Sequence, residues 1–177
     1  MSKKQISTAA APRLRWYHGL LFYAVVTVLS GPWLPTSAYL DVQGRPPFMP
    51  PDWVFPPVWI LNNSLMIWAG MRVLNMTPGT PNRKVWLMLQ ALSWIGFISF
   101  SWVYFALHSP ILGLVVTTGM WAINLRSVFL GLKIDRAVSL ALAPLMIWLT
   151  LASMVAGYQA LHTPDELFGL PPLVGLF

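Results

Sequence analysis

Apolar runs of about twenty residues make up most of this sequence, and each is long enough to cross a lipid bilayer as a helix. Of the 177 residues, 56% are hydrophobic and 9% are charged, a balance too apolar for a soluble domain. The sequence therefore predicts an all-α integral membrane protein, a five-transmembrane-helix bundle, with spans at about 16–34, 53–74, 85–107, 110–132 and 137–161.

The five spans are expected to form one domain, residues 16–162, between two tails. Residues 1–15 form a basic N-terminal tail, and residues 163–177 form an apolar C-terminal tail. The small residues at 35–38 leave a cleavable signal peptide as the alternative interpretation of the first span. Very short breaks after the third and fourth spans predict that spans three to five are antiparallel neighbours.

The scarcity of reactive side chains argues against several kinds of chemistry. The chain has no cysteine, three histidines and five carboxylates, so a thiolate metal site and a cysteine nucleophile are excluded. No ordinary catalytic constellation is present, and we predict neither a catalytic residue nor a metal site. A pI near 10.1 could suggest nucleic acid, but the basic residues lie at the ends of apolar runs, as membrane topology requires. We therefore expect no nucleic-acid partner.

Positive charge is distributed unequally between the two sides of the predicted bundle. With five spans, one side carries nine of the eleven Lys and Arg residues, namely Lys3, Lys4, Arg13, Arg15, Arg72, Arg83, Lys84, Lys133 and Arg136. Since cytoplasmic ends retain positive charge, we expect a bacterial inner membrane, a cytoplasmic N-terminus and an outward C-terminus. Arg45 lies on the other side, and Arg126 lies within the fourth run, where it either snorkels to the interface or binds an anionic group.

Six prolines interleaved with aromatic residues occupy the stretch 45–59, between the first and second apolar runs. Each proline fixes its own φ and biases the preceding residue toward extended geometry. Pro56 and Pro57 fall in the first turn of the following helix, where a missing N–H does no harm. The stretch predicts a rigid aromatic lid that leads directly into a span. The alternative is an interfacial loop whose aromatic residues only anchor the chain at headgroup depth.

Polar and aromatic residues inside the spans offer two interpretations each. Asn62, Asn63 and Ser64 either form hydrogen bonds between helices or contact a ligand. Gln90 and Asn124 are interpreted as packing residues. Several Trp residues lie within spans, where an indole N–H needs a partner. If they converge they form a flat aromatic cavity suited to planar macrocycles or sterols, and otherwise they are bulky core residues.

The stretch 45–59 resembles the hallmark of the TspO/MBR family, also called the tryptophan-rich sensory protein or translocator protein family. The match consists of Arg45-Pro46, then Pro50-Pro51-Asp52-Trp53-Val54-Phe55, then Trp59. Pro144, followed by Trp148 and Ala152, resembles the family's fifth helix, and Trp121 stands fourteen residues before Asp135 as in similar sequences.

The resemblance implies a ligand pocket beneath the lid. Its lining would comprise Pro50, Pro51, Phe55, Trp59, Asn63, Phe97, Trp121, Trp148 and Ala152. Two positions depart from the family pattern, because Phe97 stands where the family usually has an Asn, and Asn63 where it has a Tyr. The polar contact expected at position 97 is therefore lost.

This resemblance also implies a function, the binding and transport or sensing of a hydrophobic ligand, a tetrapyrrole or porphyrin first of all. It extends to light-dependent porphyrin degradation, so an enzymatic role stays open, although no cofactor is required. The alternative is a structural or assembly subunit of a larger membrane complex, such as a pigment–protein complex, with a degenerate pocket. Membrane lipids are expected partners, a lipid is the alternative bound molecule, and a homodimer or a membrane-complex partner is left open. Haem ligation by His108 and His162 is a weaker hypothesis.

Overall fold

The computed structural model describes residues 13–31 and 43–175, and these form an all-helical bundle. This confirms the predicted fold class. The helices are α1 (Trp16–Ser30), α2 (Phe55–Leu74), α3 (Arg83–Ser101), α4 (Pro110–Ile134) and α5 (Arg136–His162). Helix α1 ends before the expected limit at residue 34, and residues 32–34 lie outside the described part of the chain. Helix α2 begins two residues later than expected, because a 3-10 turn occupies Asp52–Val54.

Three of the helices are long and apolar enough to cross a membrane, α4, α5 and α3 with its extension to Ala106. Helix α2 has 20 residues, but its apolar character is interrupted by the polar residues at 62–64 and by Arg72. Helix α1 is apolar and has 15 described residues. At 1.5 Å per residue, α1 spans about 22 Å, less than the roughly 30 Å of a bilayer core.

Helix α3 ends in a wider π-helical turn over Trp102–Ala106. The Leu107 N–H donates to the Trp102 carbonyl at 3.1 Å, five residues back. His108 then adopts a left-handed φ of 47°, and the chain reverses directly into α4. Ser109 caps α4, since its hydroxyl accepts from the Leu112 N–H at 3.2 Å. The predicted antiparallel arrangement of the third and fourth helices follows from this turn.

Helices α4 and α5 form the closest pair in the bundle. They are joined through Asp135, whose side chain accepts from the Ala137 N–H at 2.9 Å and caps α5. A Cβ on Gly131 would lie 2.6 Å from the Ser139 hydroxyl, so the close approach depends on glycine. The Ser139 hydroxyl donates to the Val128 carbonyl at 2.7 Å, one turn before Gly131. These contacts hold the two helices antiparallel with almost no connecting chain.

One end of the bundle, the basic end, gathers the start of α1 with the α2–α3 and α4–α5 connections. The Asn75 side chain accepts from the Leu14 N–H at 2.7 Å and donates to the Leu14 carbonyl at 2.9 Å. Arg72 donates to Asp135 from Nε at 2.6 Å. Arg83 donates to the Val73 carbonyl at 3.0 Å. Two arginines are thus among the side chains that close this end.

The opposite end, the lid end, gathers the lid, the α3–α4 turn and the C-terminal segment. Asp165 is 2% exposed, and its carboxylate accepts from the Ser109 hydroxyl at 2.7 Å and from the Ile111 N–H at 3.2 Å. A carboxylate at this position also complements the dipole of α4. The Val174 N–H donates to the Leu161 carbonyl at 2.9 Å. The described part of the apolar tail therefore folds back onto the bundle.

The apolar core lies where α2 meets α5. Helix α2 buries Met66, Ala69 and Val73 at helical spacing, and α5 contributes Leu142, Leu145 and Leu149 in the same way. All six are at most 2% exposed. The lid-end half of this same α2 face carries the residues of the candidate site.

Candidate functional site

The lid leads into α2 through a run of constrained residues. The Val54 N–H donates to the Pro51 carbonyl at 2.9 Å in the 3-10 turn. Pro56 and Pro57 then occupy the second and third positions of α2, where no intrahelical N–H donor is required. Phe55 is therefore the first residue of α2, and Trp59 follows one turn later.

Four aromatic rings from the lid junction, α2, α3 and α5 contact one another directly. The Phe55 and Trp148 centroids lie 5.1 Å apart with planes at 83°. The Trp59 and Trp148 centroids lie 6.3 Å apart at 82°. Trp59 also meets Phe97, at 4.9 Å and 59°. These four residues form the aromatic cluster, and its two contacts with Trp148 are edge to face, a preferred geometry for aromatic pairs.

The resemblance placed Trp59 and Trp148 in one pocket lining, and the structure brings their two rings into contact. The expectation included a cavity between them, whereas the structure brings the edge of one ring against the face of the other. The bulk of Phe97 contributes to this closure, since it fills the position where the resemblance implies a smaller polar residue. The cluster is closed in this conformation.

Buried polar atoms without partners adjoin the aromatic cluster. Asn62 is 1% exposed, Asn63 is 4% exposed and Trp148 is 7% exposed. Among the residues that the structure describes, neither polar atom of the Asn62 amide, nor Asn63 Oδ1, nor Trp148 Nε1 has a hydrogen-bond partner. An unsatisfied buried polar group costs about 1–3 kcal/mol. Asn62 and Asn63 lie close to Trp59 because they follow it by three and four residues, and residues at these spacings are neighbours on a helix.

The remaining predicted site residues lie around the cluster or apart from it. Trp121 on α4 donates from Nε1 to the Thr150 hydroxyl on α5 at 3.0 Å, and no ring contact in the described chain joins it to the cluster. Ala152 lies one turn after Trp148 and is half-buried. Pro50 is half-buried and Pro51 is exposed, both in the lid immediately before the 3-10 turn.

The lid is held in place by contacts with the end of α5. The Gly44 N–H donates to the Thr163 hydroxyl at 3.0 Å, and a Cβ on Gly44 would lie 2.7 Å from the Cβ of His162. Phe48 packs against Tyr158 with centroids 6.4 Å apart. Within the lid, Arg45 pairs with Asp52. This pair is largely exposed, so it adds little to stability.

Other polar side chains of the spans bond to one another or to helix carbonyls, although Gln90 Oε1 and Ser153 Oγ also have no partner among the described residues. Asn124 on α4 donates to the Ser93 hydroxyl at 2.7 Å and accepts from Gln90 Nε2 at 3.2 Å, both on α3. These contacts agree with the packing role expected for Gln90 and Asn124. The Asn62 amide has no such hydrogen bonds among the described residues.

The two histidines considered as haem ligands interact with their own chain. His108 Nδ1 lies 2.7 Å from the Glu166 carboxylate. The His162 ring stacks on Tyr158 at 3.8 Å, and its Nδ1 donates to the Tyr158 carbonyl at 2.9 Å. The described residues contain no group of three or more His, Cys, Asp or Glu side chains placed to hold a metal ion.

Two features of the site were missed in the sequence. Asn62 was considered together with Asn63 and Ser64, but only Asn63 was included in the predicted pocket lining, whereas the structure buries both Asn62 and Asn63. The role of Asp165 as a cap for α4 was also missed. A signal existed in Ser109-Pro110, a helix start, but nothing local indicates that a residue far along the chain completes that cap.

Comparisons with known proteins point to one family. The sequence model of the TspO/MBR family matches residues 19–161. The chain is 29% identical to "Tryptophan-rich protein TspO" of Chlorobaculum tepidum over 119 residues, which cover 67% of this chain and 75% of that protein. It is 25% identical to "Protein CrtK" of Rhodobacter capsulatus over 116 residues, 66% of this chain and 72% of that protein.

Proposed function

Because the chain belongs to the TspO/MBR family, an integral membrane family, we propose that it binds a flat hydrophobic ligand beneath the lid, with a tetrapyrrole or porphyrin as the first candidate. The observation that carries this proposal is the set of unpartnered polar atoms of Asn62, Asn63 and Trp148 beside the aromatic cluster. A cluster used only for packing gains nothing from buried amides and an indole N–H without partners. A ligand that forms hydrogen bonds with these atoms removes the desolvation cost of their burial, and this gain contributes to its affinity.

The atoms available define the chemistry of the ligand. Trp148 Nε1 and Asn62 Nδ2 are donors, and Asn62 Oδ1 and Asn63 Oδ1 are acceptors. The rings of Phe55, Trp59 and Phe97 offer apolar faces and edges. A suitable ligand is therefore planar, mostly apolar and polar along one edge. A tetrapyrrole with carboxylate or carbonyl substituents fits this description.

Binding requires the aromatic cluster to open. Opening must separate aromatic pairs around Trp148 and Trp59 that each contribute about 0.5–1.5 kcal/mol beyond their buried area. The lid is joined to the end of α5 through one described hydrogen bond, Gly44 to Thr163, and the Phe48–Tyr158 contact. Outward movement of this short segment, together with rotation of Trp148, is the route that we propose for ligand entry.

Quenching of tryptophan fluorescence by a porphyrin tests the proposal directly. Trp148→Phe removes the buried N–H, and we expect it to weaken binding about tenfold, the equivalent of one hydrogen bond to a charged or polar ligand edge. Trp102→Phe is the control, because Trp102 is 45% exposed and begins the π-helical turn that follows Ser101. Equal affinities of the two variants would contradict the proposed site. Illumination of the same samples shows whether a bound porphyrin is degraded.

A second function is favoured by the closed state of the aromatic cluster. Phe97 and Trp59 at 4.9 Å occupy space that a ligand would need, as expected for a structural or assembly subunit of a larger membrane complex with a degenerate pocket. Purification in mild detergent separates the two functions. A copurifying pigment without other subunits supports ligand binding, and stoichiometric membrane subunits without porphyrin binding support the assembly role.

The proposed location is a bacterial inner membrane with the basic end of the bundle in the cytoplasm. The described residues place seven Lys and Arg residues at the basic end, Arg13, Arg15, Arg72, Arg83, Lys84, Lys133 and Arg136. The lid end carries Arg45 with Asp52, Asp165 and Glu166. This asymmetry supports the positive-inside orientation, in which the lid and the C-terminus face outward.

A further inference from the structure

We propose that a groove between α1 and α2 binds one anionic phospholipid, with the lipid headgroup at the basic end of the bundle. The groove has a volume of about 610 Å³ and is lined by Trp16, Leu20, Ile60, Ile67, Trp68 and Arg72, among others. This volume lies within the range typical of small-molecule sites. The groove is separate from the proposed ligand site, because the two lie on different faces of α2.

The groove and the aromatic cluster lie on different faces of α2. Ile60, Ile67 and Met71 line the groove, whereas Met66 and Ala69 belong to the buried core. Residues three or four apart share a helix face, so each set forms its own stripe. A molecule in the groove therefore contacts membrane and α1, and it does not enter the space around Trp59.

The path of α1 creates the groove. Gly19 lets α1 touch α2, since a Cβ there would lie 2.6 Å from Met71 Sδ and 2.9 Å from Ile67 Cγ2. Further along, α1 packs on α3 instead, with the Phe22 and Trp94 rings 5.0 Å apart. Among the described residues, 13–31 and 43–175, α1 does not cover the lid-end half of α2 on this side, and Ile60 is 57% exposed. The groove is thus open sideways, toward the acyl chains.

Polarity changes along the groove as it does along a lipid. Ile60 lies toward the lid end of the groove and Ile67 near its middle, and Trp68, Arg72 and Asn75 lie toward the basic end. From Ile60 to Asn75, α2 rises about 22 Å at 1.5 Å per residue, enough for the acyl chains of one leaflet. Indoles near the end of a span favour the boundary between acyl chains and headgroups. A lipid headgroup therefore belongs beside Arg72.

The charge around this end favours an anionic headgroup. The Arg72 guanidinium lies 5.5 Å from the Trp68 ring centroid, and it contacts Asp135 Oδ2 from Nε at 2.6 Å and from a terminal nitrogen at 2.5 Å. A guanidinium has five N–H donors, so further donors are free to meet a phosphate. Asn75 binds the backbone of Leu14, which keeps Arg13 and Arg15 near the same end.

The test measures the thermal stabilisation of the purified full-length chain by added lipid. We expect dioleoyl phosphatidylglycerol to raise Tm by several degrees and to appear as a single adduct in native mass spectrometry. Dioleoyl phosphatidylcholine, with the same acyl chains, should give a clearly smaller shift. Inorganic phosphate should give no shift. An equal shift with both lipids, or a full shift with phosphate alone, would overturn the proposal.

Two matched variants test the location of the lipid. Ser64 lines the groove and is exposed, with its hydroxyl bonded to the Ile60 carbonyl at 2.7 Å. Thr118 is exposed on α4 in the same local geometry, bonded to the Leu114 carbonyl at 2.7 Å. Ser64→Trp should fill the groove and reduce phosphatidylglycerol affinity about tenfold, while Thr118→Trp should leave it unchanged. Similar effects of the two variants would refute the assignment.

A second pair of variants separates charge recognition from a structural effect. Arg72→Gln and Asp135→Asn both break the same ion pair. We expect Arg72→Gln to weaken the preference for phosphatidylglycerol over phosphatidylcholine, and Asp135→Asn to strengthen it, because Asp135 competes with the phosphate for Arg72. A shift of both variants in the same direction would show that the pair acts only on stability.

Discussion

The indole of Trp148 meets the ring of Trp59 edge to face, with centroids 6.3 Å apart and planes at 82°, and its own N–H has no partner among the described residues. The ring of Trp148 thus packs within the aromatic cluster, and its indole nitrogen leaves a hydrogen-bond donor without a described partner there. The predictions below follow from this combination and from the contacts around it.

Asn62→Leu should make the ligand-free protein more stable and weaken ligand binding. Leu has a similar size and removes two buried polar atoms that have no partner in the described part of the chain, each of which costs about 1–3 kcal/mol. Thermal unfolding in detergent measures the first effect, and porphyrin quenching measures the second.

The matched control is Asn124→Leu, the same substitution at a buried Asn whose amide is hydrogen-bonded to Ser93 and Gln90. This variant should be destabilised, because Ser93 and Gln90 would remain buried without the hydrogen bonds that they now form with Asn124. If Asn62→Leu lowers Tm as much as Asn124→Leu does, Asn62 is a structural residue and the ligand proposal loses its main support.

Phe97→Asn should restore a polar contact at the position where the family usually has an Asn. We expect affinity for polar-edged ligands to stay intact or improve, while flat apolar ligands change less. The variant should also lose some stability, since it removes the Phe97 contacts with Trp59 and Trp94, and large-to-small core changes cost about 3–5 kcal/mol when fully buried. Weaker binding of polar-edged porphyrins by this variant would exclude position 97 from the site.

Gly113→Ala should destabilise the turn between α3 and α4. A Cβ at Gly113 would lie 2.5 Å from Tyr104 Cδ2, so the Tyr104 ring must shift from its buried position. In Gly119→Ala on the same helix, no described residue lies within 4 Å of the new Cβ, and the variant should be neutral or stabilised by about 0.5–1 kcal/mol. Thermal unfolding measures the Tm of the two variants. Equal Tm values would contradict the prediction.

The stability of the basic end should depend on pH through Asp135. The hydrogen bond from the Ala137 N–H and then the one from Arg72 lower the pKa of the Asp135 carboxyl. A lowered folded-state pKa means that this contribution is complete above the unfolded value of about 3.9 and disappears as the pH falls through the folded-state pKa. Asp135→Asn should therefore lower Tm near neutral pH and reduce the loss of Tm below about pH 4. Parallel Tm curves for the variant and the wild type would contradict this.

Topology reporters should find the C-terminus outside the cytoplasm. The reason is the concentration of Lys and Arg at the basic end and the positive-inside rule. A C-terminal alkaline phosphatase fusion should be active, and a C-terminal green fluorescent protein fusion should be dark. The opposite pattern would reverse the proposed orientation of the lid.

Much of the architecture could be predicted from the sequence, because helix number and membrane character depend on local properties. The length and spacing of apolar runs indicated five helices, and the prolines near Pro56 indicated where α2 begins. The small breaks around His108 and Asp135 indicated antiparallel neighbours. Each of these inferences requires only residues that are close together in the chain.

Contacts between distant residues were decided by the tertiary structure alone. Trp59 and Trp148 could be placed on suitable helix faces, but their edge contact depends on the rotation and depth of α2 and α5, which many core side chains set together. The same holds for Asp165, which reaches α4 from beyond α5, and for the unpartnered amide of Asn62. Periodicity describes one helix at a time, whereas hydrogen-bond satisfaction and ring contacts are properties of the packed bundle.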